Sequence, residues 1–267
     1  TGSTAYAGSV TIPADAKKIP LGKHLHYLED PSRKMTLEDF LKPENQARLK
    51  KSNSNNLSFG ITKSVYWVST TLTSSASQER DVLLEYDYPH IDYATLYIMV
   101  AGEVIKKVDF GDRYPFASRP IEHRNFLIPL ALLPEQELTT IMRVNTQTSM
   151  KISLFVHDPT SFWQDDNATN IIYGIYFGMM LVMILYNLFV FLMLRSRAYL
   201  YYVIYVSAIA ALYFGYIGYL FQYVLGDTLP IGKWDQSRAI APFATVVLIS
   251  LLRFTQVFLD LKTHMPR

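Results

Sequence analysis

The pattern of hydrophobic and polar positions changes character near residue 160. Before it, short stretches alternate; after it, long uncharged runs take over. Val65–Thr73 reads Val-Tyr-Trp-Val-Ser-Thr-Thr-Leu-Thr, dense in β-branched and aromatic residues with partial alternation, the signature of a half-buried strand. Further strands are expected over His24–Leu28, Asp81–Tyr86, Ala94–Val100, Val104–Val108, Arg124–Pro129, Thr139–Asn145 and Lys151–His157. A hairpin turn falls at Ala101-Gly102-Glu103. One segment, Thr36–Lys51, predicts helix: Thr36 with Asp39 three residues on is an N-cap signal, and Pro43 limits or kinks the helix. About eight short strands at regular spacing predict an all-β antiparallel sandwich of jelly-roll type over residues 1–160. The boundary falls at Asp158-Pro159-Thr160-Ser161.

The second half, residues 161–267, is a membrane region. Asn167–Leu194 is free of charge, Ala198–Gly226 is free of charge, and Ala239–Leu259 is interrupted only by Arg253. A helix needs roughly 20 such residues to cross the hydrocarbon core, so three transmembrane helices are expected at about 170–194, 198–221 and 239–260. Arg195 and Arg197 lie in the first turn between helices, and Lys262 and Arg267 follow the third helix, whereas the second loop mixes acids and bases. Lys and Arg favour the cytoplasmic side, which places the first turn and the tail inside and the β domain outside. Phe162 and Trp163 before the first helix, and Tyr199, Tyr201 and Tyr202 opening the second, suit the two interfaces.

Charge sharpens this division. Thr1–Asp166 carries 18 Lys/Arg and 20 Asp/Glu, the remainder 7 and 3. A polar half followed by an apolar, slightly basic one fits insertion into a bilayer and excludes the clustered basic face of a nucleic-acid binder. The chain has no cysteine, which removes thiolate catalysis and Cys-ligated zinc, while a domain of this size builds a core without disulfides. Thr1-Gly2-Ser3 is expected to be a processed or engineered start.

Several constellations are candidates for binding. Trp67, Tyr86, Tyr88, Tyr93 and Tyr97 offer flat faces for stacking sugar rings, and the same residues at alternating strand positions serve as packing. Arg113, Arg119, His123 and Arg124 form a second group. An arginine fork suits a carboxylate, so a carbohydrate or small anionic ligand is expected there; the alternative is pairing with Asp109, Asp112 or Glu122 that holds a loop. Asp87, Asp92, Asp109 and Asp112 lack calcium-loop spacing, and the six histidines lack zinc spacing. No catalytic constellation, metal site or cofactor is expected. In the membrane, Gly174 and Gly178 permit close helix approach, within the chain or across a homodimer. Asn187 is expected to hydrogen-bond a neighbouring helix, and Arg253 to snorkel inward or pair within the bundle.

Tyr27-Leu28-Glu29-Asp30, Phe59-Gly60 with Tyr66-Trp67, Gly111-Asp112 with Pro115-Phe116, Arg119-Pro120, His123-Arg124 and Phe126 resemble the extracellular module of the bacterial seven-transmembrane receptors with diverse intracellular signalling modules. Gly174-Ile-Tyr-Phe-Gly178, Leu185-Tyr186-Asn187 and Tyr199-Leu200-Tyr201-Tyr202 resemble the opening helices of that family's seven-helix region. The resemblance implies a jelly roll related to carbohydrate-binding modules, a sensory role at the bacterial inner membrane, and a cytoplasmic output such as a histidine kinase or diguanylate cyclase. It also implies a truncated seven-helix region, since only three spans are read here. Two other readings stay open: an anchored carbohydrate-binding adhesion module, for which one helix would suffice, and the accessory domain of a membrane transporter or enzyme. The latter needs more intramembrane polar groups than Asn187 and Arg253.

Overall fold

A computed structural model describes residues 8–225 and 236–259. The residues divide into two units, one reaching to Gln164 and one beginning at Asp165. In chain order the outer unit contains β1 (Ser9–Ile12), β2 (Lys18–Pro20), β3 (His26–Asp30), α1 (Leu37–Leu41), α2 (Pro43–Gln46), β4 (Lys50–Lys51), β5 (Leu57–Ile61) and β6 (Val65–Ser74). It continues with β7 (Arg80–Tyr86), β8 (Tyr93–Val100), β9 (Glu103–Phe110), β10 (Phe126–Leu132), β11 (Leu138–Asn145), β12 (Ser149–Ile152) and β13 (Leu154–His157).

Two sheets make the sandwich. One is seven-stranded, with the order β4-β3-β6-β11-β8-β9 and β1 also paired to β6; the other is four-stranded, β10-β7-β13-β2, and β5 pairs with β12 separately. β6 is long enough to take β3 antiparallel along Val65–Ser69 and β1 parallel along Thr71–Ser74 on one edge. The expected antiparallel β sandwich is present, with the parallel β1–β6 pairing as an addition. Alternation explains the packing: Tyr66, Val68 and Leu72 of β6 join Leu96, Ile98, Met142 and Val144 in the core between the sheets. Tyr86 is fully buried there and its hydroxyl donates to the Lys151 carbonyl at 2.6 Å, as a buried phenol requires.

The opposite side of β6 builds a second core. Val65 and Trp67 pack with Leu28, Met99 and Ile141, and Phe40 covers them. The sequence dictates the cover. Thr36 and Asp39 close a capping box that starts α1, with the Asp39 N–H donating to Thr36 Oγ1 at 3.2 Å. Lys42 is extended, and Pro43 starts α2 at its first position. The expected single helix is therefore two short ones, broken where a proline cannot donate, and it yields to β4 at its end. Phe40 stacks on Trp67 at 5.2 Å between centroids; burying such rings stabilises by about 1.5–3 kcal/mol each. At the β8–β9 hairpin Ala101 and Gly102 both take positive φ, 52° and 85°, as a two-residue turn matched to strand twist demands.

The second unit holds helices. α3 (Pro159–Leu194) begins well before the uncharged run: Pro159 opens it, and Asp158 Oδ2 accepts from the Ser161 N–H at 3.0 Å. Hydropathy locates the part of a helix that crosses lipid, whereas the hydrogen-bond ladder extends beyond it. α4 (Arg197–Ile217) and α5 (Gln236–Phe258) come next in the chain. All three are long and apolar enough to span a membrane. α4 and α5 approach closely at Gly215, where an added Cβ would stand 2.2 Å from Ile240 Cγ2, and Gln236 Nε2 donates to the Gly215 carbonyl at 2.8 Å. α3 meets α4 through ring pairs such as Phe177–Phe214 at 5.5 Å. Asp227, Lys233, Asp235, Asp260, Lys262 and Arg267, whose charges bear on the orientation of the spans, lie outside the described residues.

Candidate functional site

The arginine-rich segment predicted to bind a ligand is the connection from β9 to β10. It starts at Gly111, whose φ of 146° and close approach to the Asp92 carbonyl (2.1 Å from an added Cβ) exclude a side chain. Asp92 is buried and gathers three donors: Arg113 Nε at 2.9 Å, Thr146 Oγ1 at 2.8 Å and the Gln147 N–H at 2.6 Å. Arg113 is thus committed to an internal ion pair.

Arg119 is 8 % exposed. Its Nη1 donates to the carbonyls of His123 and, at 3.1 Å, Arg124. The guanidinium lies between the rings of Phe116 and Phe126, 4.6 and 4.2 Å from their centroids, a geometry that favours a planar cation. Burial disfavours its charge and brings its pKa down to about 9, the Asp112 carboxylate opposing. The structure brings Arg119, His123 and Arg124 together, but through main-chain carbonyls. A ligand carboxylate at Nη1 would compete with those two carbonyls.

His123 is buried, accepts the Asn125 N–H at Nδ1 (3.1 Å), and stands edge-on to Phe162 and Trp163 in the first turn of α3. Asn125 continues inward, donating to Glu85 at 2.7 Å and Asp87 at 2.9 Å. His157 Nε2 meets the other Glu85 oxygen at 2.8 Å, and its ring lies against Phe162. Burial pushes the Glu85 carboxyl up, but hydrogen bonds from His157 and Asn125 outweigh it and hold the pKa below the ordinary value. Phe162 is 5 % exposed among Leu83, Leu127 and Ile121. The first turn of α3 therefore belongs to the outer unit and is seated on a polar network.

Of the proposed stacking residues, Trp67 is fully buried between Phe40 and Tyr97, so a sugar ring would have to displace one of them. Tyr88 is half-buried, with His90 at 5.6 Å and Lys151 Nζ 5.7 Å from its ring. Asp109 pairs with Lys107 at 3.1 Å, and among the described residues no cluster of three or more His, Asp or Glu is arranged to hold a metal. In the membrane helices, Asn187 Nδ2 donates to the Met183 carbonyl at 2.8 Å in its own helix, a local bond that satisfies the amide. Gly174 and Gly178 have nothing within 4 Å of an added Cβ. Arg253 is exposed and contacts Gln256 at 3.4 Å, one turn on.

Sequence reasoning passed over one feature. Tyr27, Lys51, Ser52, Asn53, Ser54, Asn56, Leu57, Ser58 and Phe59 surround an open depression of about 390 Å³ at the β4–β5 edge of the sandwich. Phe59 is stacked on Tyr66 at 4.0 Å and tilted against Tyr27 at 5.1 Å. The run Ser-Asn-Ser-Asn-Asn reads only as a turn, and the aromatic residues beside it come from separate strands.

In this chain a β sandwich is followed by three helices long and apolar enough to span a membrane. Residues 22–158 match the family profile described as 7TMR-DISM extracellular 2, and residues 169–267 match that of 7TM diverse intracellular signalling. The chain belongs to the seven-transmembrane receptors with diverse intracellular signalling modules. No curated protein matches it. Among solved structures, a GH31 alpha-xylosidase from Xanthomonas citri aligns at 16 % identity over 56 % of this chain and 16 % of that enzyme, with a TM-score of 0.30. The chain thus spans less than a fifth of the enzyme's length.

Proposed function

We propose that this chain is the ligand-sensing part of a bacterial inner-membrane receptor. Its outer unit binds a carbohydrate or small anionic ligand and passes the signal through the membrane helices to a cytoplasmic output domain beyond Arg267. The observation that carries the reading is the succession, in one chain, of an extracellular sensor module and a signalling membrane module. The Arg195–Arg197 turn faces the cytoplasm by the distribution of basic residues. Of the predicted binding residues, Arg124 and Tyr88 are half-buried, and Arg119 and Arg113 hold the β9–β10 connection through internal contacts. Signalling requires that the ligand bind two receptor states with different affinity.

The test uses the chain in lipid nanodiscs with a fluorophore on Ser196→Cys. A panel of neutral sugars, uronic acids and small dicarboxylates is screened for compounds that raise the melting temperature. A compound that stabilises the outer unit and also changes the fluorescence at position 196 supports the receptor reading. Stabilisation by bound compounds with no change at 196 would reassign the outer unit to anchored adhesion.

A further inference from the structure

The depression at the β4–β5 edge combines three properties that single loops seldom do. Its volume, about 390 Å³, falls at the lower end of the roughly 300–1,000 Å³ of small-molecule sites. Two aromatic side chains, Tyr27 and Phe59, contribute to its wall, both half-buried and packed against the edge of the core. Phe59 is pinned from one side by Tyr66.

The polar part of the wall is set in advance. Ser52 Oγ donates to the Ser54 carbonyl at 3.0 Å, Ser54 Oγ donates to the Asn56 carbonyl at 2.9 Å, and Ser153 Oγ, in the link between β12 and β13, 97 residues away, donates to Asn56 Oδ1 at 2.7 Å. The backbone of Asn55 lies against Gly22 so closely that an added Cβ would stand 1.9 Å from its carbonyl oxygen. A loop fixed on both sides presents its amides and hydroxyls with little ordering cost on binding. Charge completes the picture: among the described residues, Lys51 is the one ionisable group lining the depression besides the Tyr27 phenol, and no carboxylate lines it.

We infer that this depression is the saccharide-binding site of the sensor, taking a one- or two-ring sugar that carries a carboxylate. The apolar face of the sugar stacks on Tyr27 and Phe59, as rings with an apolar body and polar edge do. Asn53, Asn56 and Ser58 supply donors and acceptors for the hydroxyls, and Lys51 meets the carboxylate. The inference rests on the sensor reading and names a place and a ligand class for it.

Galacturonate and galactose, a pair differing in the carboxylate, are titrated calorimetrically into the chain in nanodiscs at up to about 10 mM, a range that detects millimolar affinities. Galacturonate is expected to bind more tightly than galactose. Lys51→Gln, at an exposed position that leaves the fold intact, should weaken galacturonate about tenfold, the size of one charge-assisted hydrogen bond, and leave galactose unchanged. Phe59→Ala should weaken both sugars together. No binding of either sugar, or galacturonate binding that ignores both substitutions, overturns the inference; the second result leaves the receptor reading standing with its site elsewhere. Galacturonate binding lost in Lys51→Gln, with a silent probe at position 196, keeps this site and removes the receptor reading instead.

Discussion

Replacing Arg119 with alanine separates a bracing arginine from a ligand-binding one. The side chain donates to two main-chain carbonyls and sits between two rings. Removing it leaves those carbonyls without this donor, at roughly 1–3 kcal/mol, and opens a cavity between Phe116 and Phe126 costing about 2 kcal/mol more. The total, about 3–5 kcal/mol, lowers the melting temperature of a unit this size by roughly 6–20 °C. Arg119→Met refills the volume and recovers the cavity part alone. Arg119→Lys recovers only part of the hydrogen bonding, because an ammonium lacks the planar fork that stacks between the rings. The deficit is also flat with pH. Burial sets the folded pKa at about 9, below the ordinary 12.5, so its cost to stability is fully present below 9 and relaxes only above it. Between about pH 5 and 8, wild type and variant curves therefore run parallel. The assay is thermal unfolding in detergent micelles followed by near-ultraviolet circular dichroism of the buried Trp67. An Arg119→Ala variant with an unchanged melting temperature and weakened ligand affinity would refute the reasoning and return Arg119 to the ligand.

Four further substitutions probe other parts of the fold. Glu85→Gln removes a carboxylate whose folded pKa is depressed. The stability it contributes is present above the ordinary carboxylate range and lost as pH falls through the folded value. The variant should therefore melt lower at pH 7, by about 1–3 kcal/mol in stability, and the two curves should converge in acid; parallel curves would exclude the network. Gly215→Leu should destabilise the α4–α5 pair because Ile240 blocks the added side chain, while Gly174→Leu, with open space around it, should leave detergent melting unchanged. Equal losses at both positions would contradict the helix pairing. Trp67→Ala should cost about 3–5 kcal/mol, as expected for a fully buried large ring, with a mild loss arguing that the α1–α2 cover is not seated on the sheet.

The sequence was legible where the signal is local or repetitive. Uncharged runs located the three spans, alternation located β6, β8 and β11, and the Thr36–Asp39 spacing located the cap of α1. What escaped depended on contacts distant in sequence. β1 is four residues long and pairs parallel with β6 only because β3 leaves the end of that strand unoccupied. The packing reading of Trp67 was available from strand alternation, but its cover, Phe40, was not, because it docks from a different segment. For Arg119 the sequence offered a ligand or a carboxylate partner that holds the loop, but not the two phenylalanines and two carbonyls around it, which come from separate parts of one loop and a strand. The depression at Tyr27 and Phe59 was invisible for the same reason, its wall being assembled from three elements.

The receptor reading requires a sensor unit outside the membrane and a first inter-helix turn inside it. The chain contains no cysteine, so single cysteines report topology without background. Lys106→Cys in the exposed β9 strand and Ser196→Cys in the turn before α4 are treated with a membrane-impermeant maleimide in intact spheroplasts. Labelling is predicted at position 106 at once and at position 196 only after the membrane is disrupted. Labelling at 196 in intact spheroplasts, with 106 protected, would contradict the receptor reading.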